Sequence, residues 1–164
     1  LRGAGYVGSI CTPHLWPDEF PLNTPANIAR WTESLSAVLA ERGVDYRLWP
    51  GGELRLFDGV IEWMQAQGVP TLAGSRCVLC DFWEVRWPRW VDKAFDWMLS
   101  NGYQPILAHP ERLGVPKVDA KLDELRLRGV LLQGNFRCLT GEEGFAADEQ
   151  IRRWLPEGRY ALLA

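Results

Sequence analysis

The 164-residue sequence predicts an α/β protein with parallel strands, and three observations predict it. Short apolar runs alternate with amphipathic segments along the whole length. The runs are nearly continuous, as suits strands covered on both faces. Glycines punctuate the junctions between the two kinds of segment. A barrel and a doubly wound sheet both satisfy this rhythm.

Taken in order, strands are expected at residues 7–12, 44–49, 77–82, 104–108, 130–134 and 159–164. Helices are expected near 25–42, 58–67, 88–101, 118–128 and 146–155. The first helix carries a start signal, with Thr24 able to cap and Pro25 at the first helical position. Ile28, Trp31, Leu35, Val38 and Leu39 read as its apolar stripe, and Gly43 ends it. Leu122, Leu125 and Leu127 give the fourth helix a shorter stripe before Gly129. No linker, repeat or low-complexity stretch divides the chain, so one domain over residues 1–164 is expected. Leu1-Arg2-Gly3-Ala4-Gly5 reads as a helix tail with a glycine cap, and residues 159–164 as a strand with nothing after it. An α/β barrel typically needs about 250 residues. The expectation is therefore a domain truncated at both termini.

Composition narrows the partners. A net charge of −3 with no basic face argues against nucleic acid. Fifteen arginines against three lysines are scattered along the chain, which fits a solvated surface better than a phosphate-binding array. Cys11, Cys77, Cys80 and Cys138 follow no disulfide-framework spacing. The Cys77-x-x-Cys80 pair lies in an apolar run, where residues three apart point to opposite faces of a strand. Buried structural thiols in a reducing cytoplasm are expected. No apolar stretch approaches the roughly 18 residues of a membrane span, and no signal peptide is expected. Trp83, Trp87, Trp90 and Trp97 crowd one segment, where packing suits them better than a stacking groove. Trp16, on the loop after His14, is the better pocket candidate.

The only two histidines sit in matching contexts. His14 ends Cys11-Thr12-Pro13-His14 after one apolar run, and His109 opens His109-Pro110-Glu111-Arg112 after another. Glu53 follows Pro50-Gly51-Gly52 after a third. If the runs are parallel strands, all three side chains leave the sheet at its carboxyl-end rim, where ligand and metal sites of such folds are built. Two imidazoles and a carboxylate are a sensible partial ligand set for a divalent cation. His14 alone reads equally as a hydrogen-bonded structural residue, Glu53 as a surface partner of Arg55, and Glu111-Arg112 as a capping turn. Asp18 and Glu19 read as a solvated loop. A ligand and an arginine on one turn do offer what a phosphate monoester needs, a Lewis acid and a bidentate fork.

Thr12-Pro13-His14, Gly52-Glu53, His109-Pro110-Glu111-Arg112, and Gln133 through Leu139-Thr140-Gly141 together resemble the polymerase-and-histidinol-phosphatase (PHP) superfamily. The branch they resemble is the bacterial metal-dependent protein-tyrosine phosphatases of capsule and exopolysaccharide gene clusters. The resemblance implies an incomplete, distorted (β/α)7 TIM-like barrel. It also implies a cluster of divalent cations, manganese foremost with iron or zinc as alternatives. His14, Glu53 and His109 would be metal ligands, Glu53 bridging, and Arg112 would bind the substrate phosphate while a metal-activated hydroxide attacks phosphorus. The implied partner is a phosphotyrosyl protein, a bacterial tyrosine kinase. A small phosphorylated metabolite, as for histidinol-phosphate phosphatases, and a non-catalytic interaction domain are the other readings. The branch's His-x-His and Asp-x-His segments would fall before Leu1 and after Ala164. Weak metal binding and poor catalysis are thus expected of these 164 residues alone, with marginal stability or self-association from an unpaired edge.

Overall fold

A computed structural model describes residues 2–164. The part of the expected helix tail that falls on Leu1 lies outside the described residues, and Arg2–Ala4 form a single 3-10 turn. The chain divides into two compact units, Leu1–Arg55 with Gly59–Leu79 and Leu56–Asp58 with Cys80–Ala164.

The first unit holds β1 (Gly8–Cys11), β2 (His14–Leu15), α1 (Pro25–Glu41), β3 (Arg47–Pro50), β4 (Glu53–Arg55) and α2 (Val60–Gln67). Strands β1 and β3 pair in parallel with Cys11 opposite Pro50, and β2 and β4 pair in parallel with His14 opposite Glu53. The strands expected at 7–12 and 44–49 are each followed, past Thr12-Pro13 and Gly51-Gly52, by a short further strand that was not expected. Proline has no N–H to donate to a ladder, and the facing glycines lie where side chains do not fit. A Cβ on Gly51 would stand 2.7 Å from Cγ2 of Ile10, and one on Gly52 2.0 Å from Cδ1 of Leu15. Both breaks are two residues long, so the register resumes unchanged beyond them.

Helix α1 begins as its sequence dictates. Thr24 is extended, its Oγ1 accepts from the Asn27 N–H at 3.3 Å, and Pro25 follows. Its buried line differs from the expected stripe. Ile28 and Thr32 are buried, whereas Trp31, Leu35 and Val38 are exposed. Thr32 and Ser36 turn their hydroxyls back onto the carbonyls one turn earlier, at 2.8 Å each. That consumes their polarity within the helix, and α1 packs on β3.

Strand β5 (Cys77–Asp81) begins in the first unit and ends in the second. The second unit continues with α3 (Arg89–Ser100), β6 (Gln104–Ala108), α4 (Val118–Leu127), β7 (Leu131–Gly134), α5 (Phe145–Trp154) and β8 (Leu162–Leu163). Strands β6, β7 and β8 are parallel neighbours in that order. Val91, Ala94, Phe95 and Met98 make the buried face of α3, at the spacing of one helical side. Each large apolar side chain so buried contributes about 1.5–3 kcal/mol. On α4 the buried pair is Leu122 and Leu125, while Leu127 is 90% exposed, one position past the stripe. Among the described residues the four cysteines are free thiols, and no helix is long and apolar enough to cross a membrane.

Candidate functional site

In the first unit the register that pairs β2 with β4 also brings His14 and Glu53 together. Nδ1 of His14 lies 3.5 Å from Oε2 of Glu53, the imidazole about half exposed and the carboxylate largely covered. The His14 ring stands 4.5 Å from that of Trp16, and the Arg55 guanidinium lies over Trp16 at 5.1 Å. Trp16 therefore backs the imidazole, while Asp18 and Glu19 are exposed, as a solvated loop requires.

In the second unit β5 ends on Asp81, whose carboxylate is 1% exposed. Burying a carboxylate is costly unless donors or a cation face it. One donor is the indole N–H of Trp83, 2.7 Å from Oδ2. His109 follows β6, and ligand atoms of Asp81 and His109 lie within 4.8 Å of each other. An imidazole beside a buried carboxylate at the ends of two strands is chemistry that suits a divalent cation. Sequence reasoning missed Asp81. The signal was there, an acid near the end of an apolar run in the position that singled out the histidines.

His109 is held in the left-handed region, at φ 35° and ψ 52°, and its N–H donates to the Gln133 carbonyl at 2.7 Å. A non-glycine residue pays for that conformation with roughly 1 kcal/mol or more. The next turn, Pro110–Arg112, supplies the constraint. Within it Glu111 is buried, accepting from the Asn135 N–H at 2.7 Å and from the Tyr160 hydroxyl at 3.0 Å. Burial, reinforced by Glu111, pushes the Cys138 thiol up to about 12 and raises Tyr160 as well. Glu111 makes no cap bond within its own turn and instead ties it to Asn135 and Tyr160.

Arg112 is about one-third exposed, with Nε 3.5 Å from Oε2 of Glu143 and its guanidinium 5.6 Å from the centre of the Trp83 ring. His109 and Arg112 line one open cavity of about 290 Å³, whose apolar wall includes Phe82, Trp83 and Val85. Of the four clustered tryptophans, Trp83 departs from the packing role, at 52% exposed. Trp87 packs edge-on against Phe82 at 4.8 Å, and Trp97 stacks on Tyr103 at 6.2 Å.

Residues 4–163 match the capsular polysaccharide synthesis CpsB/CapC family. The chain belongs to that family. The CpsB/CapC relatives include the tyrosine-protein phosphatase YwqE of Bacillus subtilis (strain 168), 27% identical over 103 residues. That alignment covers 63% of this chain and 40% of YwqE. CapC of Staphylococcus aureus is 34% identical over 99 residues, 59% of this chain and 38% of CapC. The chain thus spans about two fifths of the length of the curated relatives it matches. Crystal structures of YwqE from Bacillus subtilis and CpsB from Streptococcus pneumoniae, described as unique metal-dependent tyrosine phosphatases, include one that superposes with a TM-score of 0.85. It is 24% identical, and the superposition covers 99% of this chain and 67% of that one. At that identity the likeness establishes the α/β fold.

Proposed function

We propose that this CpsB/CapC chain carries the core of a metal-dependent protein-tyrosine phosphatase. The observation that carries the reading is the cavity in which His109 and Arg112 face a common space beside a buried carboxylate. In the second unit Asp81 and His109 would supply a carboxylate and an imidazole to a cation, and in the first His14 and Glu53 would supply another such pair. The names of YwqE and of the solved CpsB and YwqE structures support the choice of phosphotyrosine.

A bound divalent ion, manganese in our reading, supplies Lewis acidity and lowers the pKa of a water molecule. The chain's own residues do the rest. Glu143 fixes Arg112 through Nε, so its terminal nitrogens can grip two non-bridging phosphate oxygens as a fork. That grip strengthens as charge builds on the phosphoryl group. Glu111 ties the turn bearing Arg112 to Asn135 and Tyr160, so the fork and the His109 ring keep their spacing. A phosphotyrosyl protein, a tyrosine kinase of the capsule or exopolysaccharide machinery, is the proposed partner in the cytoplasm.

The test uses the full gene product. Chelation should abolish hydrolysis of a phosphotyrosyl peptide, and returning manganese should restore it. His109→Ala should lose both bound metal and turnover. Arg112→Ala should keep its metal and lose roughly 10²–10³-fold in turnover. Activity indifferent to chelation would overturn the reading, and equal metal loss in the two variants would overturn the division of labour.

A further inference from the structure

Trp83 is the residue that nothing in the metal and phosphate chemistry requires, yet it touches both. Its indole N–H donates to Asp81 Oδ2 at 2.7 Å, its ring lies 5.6 Å from the Arg112 guanidinium, and about half of its surface faces solvent. Half-exposed, the side chain is held by two contacts. The hydrogen bond fixes one edge of the indole, and the cation–π contact fixes one face. What remains exposed lines the cavity shared by His109 and Arg112, next to Phe82 and Val85.

We propose that Trp83 is a specificity-determining and positioning residue. It orients Asp81 through its N–H, backs Arg112 with its ring, and presents its remaining edge and face to the aryl group of an aryl phosphate monoester. The proposal rests on the phosphatase reading and adds to it the side chain that tells aryl from alkyl esters. An alkyl phosphate can reach the same arginine and metal ligands but has no ring to lay against the indole. A hydrogen-bonded partner of a metal ligand sets that ligand's orientation, and losing it typically weakens metal binding by about 10-fold or more. The two roles use different atoms of one side chain, so two substitutions separate them.

Trp83→Phe keeps a ring for Arg112 and for the substrate but deletes the N–H. Trp83→Leu deletes both. The measurements are manganese affinity by calorimetry on the metal-stripped full gene product, and inhibition constants for phenylphosphonate and methylphosphonate. Hydrolysis of matched phosphotyrosyl and phosphoseryl peptides is measured alongside. Both variants should bind manganese about 10-fold more weakly. Trp83→Leu should also lose roughly 3- to 10-fold of the preference for phenylphosphonate over methylphosphonate, whereas Trp83→Phe should retain it. Trp83 is half exposed, so both variants are expected to fold, and unchanged unfolding midpoints would verify this.

If Trp83→Leu weakens the two phosphonates equally, the aryl wall is wrong. If Trp83→Phe binds manganese as the parent does, the positioning role is wrong. Should Trp83→Leu fail to fold, Val85→Ser, on the same wall and 82% exposed, gives a second reading of the aryl preference. A parent protein without phosphatase activity would instead sink the underlying reading, a result distinct from any of these.

Discussion

A hydrogen atom is the largest side chain that fits at Gly52. A methyl group there would meet Leu15, which has no exposed surface into which to yield. Gly52→Ala should therefore destabilise the protein by about 1–3 kcal/mol, the usual cost of overpacking. A denaturant midpoint that does not move would show that the strands can part to admit it. Two consecutive glycines, as stand before Glu53, are the residues that permit such a close approach. His109 is the opposite case. Nothing about a histidine before a proline announces a left-handed backbone, because the constraint comes from Gln133 and from Glu111 bonds formed across the chain. Cys138 shows the same dependence on distant neighbours. Its thiol holds its proton to about 12 in the folded chain, against 9.0 when unfolded. Between those values the unfolded state has released a proton that the native state keeps, so stability is full below about pH 9 and falls as pH rises towards 12. Cys138→Ala should flatten the alkaline decline measured by urea unfolding, and a decline of unchanged steepness would contradict this.

At the scale of elements, capping and punctuation were legible and packing faces were not. Thr24 and Pro25 start α1 where their chemistry requires, and the strand runs at residues 77–82, 104–108 and 130–134 lie within a residue of β5, β6 and β7 at each end. The expected stripe of α1 failed because hydrophobicity marks a face only if something covers it. Thr32 is buried with its hydroxyl bonded back to the Ile28 carbonyl, a position that a search for apolar spacing passes over. The link between α4 and α5 was likewise invisible, since it depends on partners more than thirty positions apart. Asp119 accepts from Arg153 and from the indole of the wholly buried Trp154, at 2.8 Å and 2.6 Å. Asp119→Ala would leave that indole N–H buried without its acceptor. The expected loss is about 1–3 kcal/mol, readable as a lower unfolding midpoint. A midpoint within experimental error of the parent would mean that water replaces the carboxylate.

For the whole molecule, the scattered arginines fit their reading as solvated surface only in part, since Arg137 and Arg152 are well exposed whereas the Arg128 and Arg159 side chains are 24% and 14% exposed. Arg128, Arg137, Arg152 and Arg159 each meet nearby acids in partly or fully exposed pairs, each worth about 0–1 kcal/mol. Arg112 also has its acid, in Glu143, but it alone among these lines the cavity with His109. Motif order identified it where composition could not. The strand–helix rhythm gave the fold class because each unit repeats one local pattern. The pairing of His14 with Glu53 was legible only as a convergence, since the sequence does not say that both strands are interrupted over the same length. That equality has a consequence for comparing genes of this kind. Insertions and deletions should gather in the loops on either side of α1, where lengthening leaves the pairing intact. Between Cys11 and His14, or between Pro50 and Glu53, one added codon without its counterpart would turn one of these two side chains to the wrong side of the ribbon.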